Sequence, residues 1–257
     1  MGILNVTPDS FSDGGKFLSV DKALEHALQM EADGAQIIDV GGESTRPGAR
    51  LVSADEELDR VAPVVKAIRE KSDVLISVDT RKSIVAKAAL DNGADIINDI
   101  SGLRFDPDME AVAAEYDCPV VLMHMKGEPG TMQNNPWYDD VMREIYLFFE
   151  DRIDALQNKG IRKIILDPGI GFGKRIEDNL TILRNLKDFR FLNRPILVGA
   201  SRKSFIGKIL NKNVDDRLYG SLTSHLIALE GGAQIIRVHE VGAAKDTIGI
   251  YTSTRLF

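Results

Sequence analysis

A chain of 257 residues with 44% hydrophobic and 28% charged residues has the composition of a globular protein able to bury a core that outweighs its chain entropy. Its formal net charge of −7 argues against a broad phosphate-neutralising face, so small ligands are expected as partners and nucleic acid is not. One cysteine, Cys118, excludes an internal disulfide, and no apolar run approaches the ~18 residues of a membrane span.

In chain order, residues 2–6 open directly as a strand, with no basic or apolar leader before them, so a secretory signal is not expected and a cytoplasmic location fits. A helical pattern then ends in Asp33-Gly34-Ala35-Gln36-Ile37-Ile38-Asp39. The glycine suits the left-handed residue that closes a helix, and the β-branched pair starts a strand buried on both faces. Residues 54–71 form an amphipathic helix, with Ser53 and Glu56 at capping-box spacing and Leu58, Val61, Val64, Val65 and Ile68 on one face. A strand is expected at 74–78, and the same helix-to-strand joint returns as Asn92-Gly93-Ala94-Asp95-Ile96-Ile97-Asn98. Strands at 119–123, 163–166 and 196–198 follow, with a helix over 139–159 through Val141, Ile145, Phe148, Phe149, Ile153 and Leu156. The joint appears a third time as Gly231-Gly232-Ala233-Gln234-Ile235-Ile236-Arg237 and supplies the eighth strand. Regular alternation without a linker predicts one α/β domain over residues 1–257, a (β/α)8 TIM barrel of eight parallel strands rather than an open doubly wound sheet.

Such barrels bind ligands at the carboxyl ends of their strands. The residues expected there are Asn5, Asp39, Asp79, Asn98 with Asp99, His124, Asp167, and Arg237 with His239. Any one of them reads equally well as a helix cap, but a whole ring of carboxylates and amides suits a planar, hydrogen-bonding heterocycle. The loops add an anion-binding chemistry. Ser201-Arg202-Lys203-Ser204 enters a helix, and Glu43-Ser44-Thr45-Arg46-Pro47-Gly48 offers hydroxyls and a guanidinium, although Arg46 or Arg202 alone also reads as a surface charge. Gly169, Gly171 and Gly173 before Lys174 do not make a nucleotide loop. Pro168 stands where a Walker loop needs glycine, Arg175 where it needs Ser or Thr, and Lys174 where a dinucleotide fingerprint needs its third glycine. His26 and His225 fall inside helical patterns, and with Cys118 they give no zinc spacing; Cys118 itself has no activating neighbour and is expected to be inert.

At this point the motifs resemble a family, the dihydropteroate synthases of the folate pathway, on which sulfonamides act. The resemblance rests on the opening Met1-Gly2-Ile3-Leu4-Asn5-Val6-Thr7-Pro8-Asp9-Ser10-Phe11-Ser12-Asp13-Gly14-Gly15 and on Asp39-Val40-Gly41-Gly42-Glu43-Ser44-Thr45-Arg46-Pro47-Gly48. It continues through Ser77-Val78-Asp79-Thr80, Asn98-Asp99-Ile100-Ser101-Gly102, Leu166-Asp167-Pro168-Gly169-Ile170-Gly171-Phe172-Gly173-Lys174, Ser201-Arg202-Lys203-Ser204 and Arg237-Val238-His239. Two departures stand out. Glu240 occupies a position where many relatives have Asp, which keeps the charge, and the chain begins at its first motif, so a short first strand is expected.

The resemblance implies that Asp79, Asn98, Asp167 and Lys203 hold a dihydropterin ring, and that Arg237, His239 and Asn5, the last through Mg2+, receive its diphosphate. Thr45, Arg46, Pro47, Phe172 and Ser204 resemble a p-aminobenzoate pocket, and Phe11 and Asp13 lie on a loop that closes over the site. Catalytic roles fall to Asp13, Arg46, Asp79, Asp167 and Lys203. The implied reaction joins p-aminobenzoate to 6-hydroxymethyl-7,8-dihydropterin diphosphate, with C–O ionisation ahead of arylamine attack and no activated Ser, Cys or Lys nucleophile. A cytoplasmic homodimer is implied as well. The alternatives are a pterin-binding methyltransferase barrel, in which the diphosphate features would be idle, and a pterin-binding paralogue without turnover.

Overall fold

The structure is a computed structural model that describes residues 1–7, 16–44 and 51–255. Strands and helices alternate along the chain in the order the hydrophobic pattern predicts. They are β1 (Gly2–Asn5), α1 (Lys16–Ala32), β2 (Ile37–Gly41), α2 (Ala54–Arg69), β3 (Leu75–Asp79), α3 (Ser83–Asp91), β4 (Ile96–Asp99), α4 (Met109–Glu115) and β5 (Val120–Met123). Then come α5 (Val141–Asn158), β6 (Ile164–Asp167), α6 (Ile176–Arg184), β7 (Leu197–Val198), α7 (Ser204–Leu210), α8 (Leu218–Glu230), β8 (Ile235–Ile236) and α9 (Val241–Ser253). The helix-to-strand joints take the form their spelling requires, with Gly34, Gly93 and Gly232 at φ of 102°, 101° and 98°. α2 and α5 begin at side-chain caps, where Ser53 Oγ accepts from Glu56 N at 3.2 Å and Asp140 Oδ1 from Arg143 N at 3.0 Å. Both helices stop a residue or two inside their expected ends.

β1 to β6 pair in sequential order as one six-stranded parallel sheet, and β7 and β8 form a separate parallel pair. Main-chain contacts tie that pair to both edges of the larger sheet. Ile3 N donates to Val238 O at 2.9 Å, Leu166 N donates to Pro195 O at 2.8 Å, and bridges join Gly2 to Val238 and Leu166 to Ile196.

Side chains of a strand alternate between its two faces. On one face Leu4, Ile38, Val40, Ile76, Val78, Ile97, Leu122 and Leu166 pack with Val61, Val64, Val65 and Ile68 of α2 and with the other helices in the main core. On the other face Ile37, Ile96, Val121, Ile165 and Leu197 form a smaller cluster with Ile235 and Met1. Two residues further along the chain from Ile37, Ile96, Ile165 and Ile235 stand Asp39, Asn98, Asp167 and Arg237, so an apolar floor lies directly beneath a polar layer.

The loop after β6 lies tight against the end of β5. Gly169 has φ +68°, and a Cβ added there would come within 2.0 Å of His124 O. Gly169→Ala is expected to destabilise the fold by about 2 kcal/mol or more, combining left-handed strain with displacement of this loop. A urea midpoint indistinguishable from that of the parent would show that the approach is not tight.

Candidate active site

The polar layer is organised around one guanidinium. Arg237 donates Nε to Asp39 Oδ2 at 2.6 Å and Nη2 to Asp79 Oδ2 at 2.7 Å. Asp39, fully buried, also accepts from Asn98 Nδ2 at 3.1 Å and 3.3 Å. Asp167 sits beside this group, its Oδ1 taking the N–H of Gly169 at 2.7 Å. The Lys203 ammonium lies 4.0 Å from the ring centre of Phe172. β2, β3, β4 and β6 thus each supply one member, Arg237 directly follows β8, and the turns after β6 and β7 carry Phe172 and Lys203.

Burial perturbs these charges in consistent directions. It raises the Asp79 carboxyl well above the usual carboxylate range, opposed by Arg237 and reinforced by Asp39. It raises Asp167 too, against the pull of the Gly169 hydrogen bond, Lys203 and Lys174. Lys203 falls to about 8 through burial and the nearby Arg237, while Asp167 and Asp79 act to raise it. Burial also works against the charge on Arg237, but Asp39 and Asp79 more than restore it. The site therefore holds a fixed cation between two carboxylates, of which Asp79 is raised by burial.

The other expected site residues take varied positions. Asn5 ends β1 next to Gly41, and its side chain makes no hydrogen bond among the described residues. His239 follows β8 with Nδ1 2.9 Å from Ser201 Oγ. Glu240 accepts from Arg202 Nε at 2.5 Å, so the acidic residue after His239 holds the β7–α7 turn and Arg202 is committed to it. Ser204 is exposed at the start of α7 and Phe172 is buried. Phe11, Asp13, Thr45, Arg46 and Pro47 lie outside the described residues.

Three members of the expected ring depart from that expectation, one in its place along the strand and two in the direction they face. Asp39 lies within β2 rather than past its end, and Asn98 and Arg237 engage its carboxylate. His124 turns away toward α5, its ring edge-on to Phe148 at 5.0 Å, and burial depresses it to about 2 so that it stays neutral. Asp99 follows inward-facing Asn98 and therefore faces the opposite way, where it accepts from Ser101 N at 2.7 Å.

A buried and a half-buried cation that motif reading passes over appear alongside. Lys174 is buried, donates to Phe172 O at 3.0 Å and His124 O at 3.2 Å, lies 3.1 Å from His124 Nδ1, and is lowered to about 7 by burial. It pins the β6–α6 loop to the end of β5. Lys82 pairs with Glu43 at 2.9 Å and with buried Glu57, while Glu43 also accepts from Val52 N at 3.1 Å. The only sequence signal for these groups is a basic residue directly after a strand-end motif, which is equally the mark of a solvated loop. A cavity of about 370 Å³ lies beside the mouth, lined in part by Trp137, Lys174, Arg175, Asn179, Ser204 and Phe205.

Comparison with known proteins places this geometry in context. The family model described as "Pterin binding enzyme" matches residues 1–239. The dihydropteroate synthase of Escherichia coli is 51% identical over 256 residues, covering 99% of this chain and 90% of that protein. The crystal structure of Yersinia pestis dihydropteroate synthase with a sulfonamide drug complex superposes with a TM-score of 0.95 at 48% identity, covering 100% of this chain and 94% of that one. The Xanthomonas albilineans dihydropteroate synthase with 4-aminobenzoic acid gives a TM-score of 0.94 at 42% identity, covering 100% and 93% of the two chains. On identity, coverage and fold together, the chain belongs to the dihydropteroate synthase family.

Proposed function

We propose that the chain condenses 6-hydroxymethyl-7,8-dihydropterin diphosphate with p-aminobenzoate to give 7,8-dihydropteroate and diphosphate. The observation that carries this reading is the polar layer of Asp79, Asn98, Asp167 and Lys203 above an apolar floor, with Arg237 at its edge. Paired N–H donors of a pterin suit the carboxylates, and its ring acceptors suit the Asn98 amide and the Lys203 ammonium. The apolar floor suits its flat face.

In this reading the reacting C–O bond breaks with positive charge growing on the pterin methylene and negative charge on the departing diphosphate. Asp79 and Asp167 face the first, while Arg237 and His239 receive the second. The arylamine nitrogen then forms the C–N bond and loses its proton to solvent. Phe172 and Ser204, with Thr45, Arg46 and Pro47, would take the arylamine, and Phe11 and Asp13 would cover the site. Asn5 fits a magnesium ion, because an amide oxygen without a partner among the described residues suits a hard cation that shares its shell with water and substrate oxygens. Bound there, magnesium would neutralise charge on the diphosphate.

The reading extends to the whole molecule. The bridges from β7 and β8 to both edges of the six-stranded sheet support a closed (β/α)8 barrel in one domain. Tyr219, Leu226 and Ile227 on α8 and Ile250 on α9 are exposed apolar side chains that support a homodimer. Cys118, buried with its thiol raised to about 11, suits a reducing cytoplasm.

The purified chain with magnesium is expected to consume p-aminobenzoate only when the pterin diphosphate is supplied, releasing one diphosphate per turnover. Tight pterin binding without turnover would contradict the enzymatic reading. Protonated Lys203 is required by this site, so kcat/KM should fall as pH rises through about 8. Lys203→Ala should remove that limb and raise KM for both substrates roughly tenfold or more, as loss of a charge-assisted contact entails. A parent profile flat to high pH would assign the lysine no such role.

A further inference from the structure

Asp39 and Asp79 compete for one guanidinium from unequal positions. Asp39 is wholly buried, accepts Arg237 Nε at 2.6 Å, and is further occupied by the Asn98 amide. Asp79 takes Nη2 at 2.7 Å but keeps 12% of its side chain exposed. A ligand entering the polar layer can therefore reach the Asp79 end of the bridge, whereas the Asp39 end is closed to it. Two carboxylates on one guanidinium leave a local net charge of −1, which disfavours an anion beside Arg237 while the bridge is intact.

We propose that Asp39 is a positioning residue, the pivot on which Arg237 is held while ring donors displace it from Asp79 and free it for the diphosphate. This rests on the reading of Asp79 as ring-binding and Arg237 as anion-binding given above. Ring and anion occupancy are then positively coupled, and linkage makes the coupling reciprocal. Asn98 belongs to the same device, because the amide that meets the ring also restrains the Asp39 carboxylate. The pterin and diphosphate halves of the substrate would be sensed together even when they are not covalently joined.

The test uses the full chain with magnesium and calorimetric titration of inorganic diphosphate, with and without 6-hydroxymethyl-7,8-dihydropterin lacking the diphosphate. The ring should tighten diphosphate binding about tenfold, within the usual range of site-to-site coupling. Asp39→Asn should reduce that factor to about twofold or less while the ring still binds, an outcome that a merely structural role would not produce. Asp79→Asn, which releases Arg237 without any ligand, should bind diphosphate alone about tenfold more tightly than the parent. It provides the check if Asp39→Asn does not fold. Equal diphosphate affinity with and without the ring, coupling undiminished in Asp39→Asn, or no gain in Asp79→Asn would each overturn the proposal. Failure of the functional reading shows differently, as absence of ring binding or turnover in the parent chain.

Discussion

Parallel strands turn successive side chains to opposite faces, and the arrangement of this protein follows from that alternation. Ile37, Ile96, Ile165 and Ile235 pack together on one face of their strands, and the residue two positions on is Asp39, Asn98, Asp167 or Arg237. Floor and site are therefore one construction. The apolar layer excludes water from below, so the polar layer above it works in a medium where each charge counts for more than it would in solvent.

The same burial makes the layer expensive unless its charges are matched, and Arg237 is what matches them. It bridges Asp39 and Asp79, the first of which shares its oxygens with Asn98. Removing any one partner would leave a buried charge without compensation. The remaining imbalance is chemically useful. Burial pushes Asp79 and Asp167 upward and Lys203 downward, so each can respond to a ligand that replaces water.

Much of this was legible in the amino-acid sequence. The Gly-Ala-x-Ile-Ile joints located three strand starts, a capping box located α2, an apolar face located α5, and the polar residues after apolar runs marked the carboxyl ends of the strands. What the sequence could not supply was register. Without it, Asp39 reads as the end of a strand although it lies inside β2, and His124 and Asp99 read as members of the ring although alternation and packing turn them outward. Partnership was equally hidden. Lys174 and Lys82 look like loop cations until the fold places His124, Phe172, Glu43 and Glu57 around them. Arg202 reads from the sequence as an anion-loop cation or a surface charge, and the fold instead pairs it with Glu240.

The family resemblance supplied proposed roles that alternation alone would have left open. The central claim is that a pterin ring lies on the apolar floor inside the polar layer. A crystal structure of the chain with a dihydropterin tests this most directly. The ring should lie above Ile37, Ile96 and Ile165, with Asp79, Asn98, Asp167 and Lys203 within about 3.2 Å of its polar atoms. A ring seated instead in the neighbouring cavity between Trp137, Arg175 and Phe205, with the polar layer unchanged, would contradict the account.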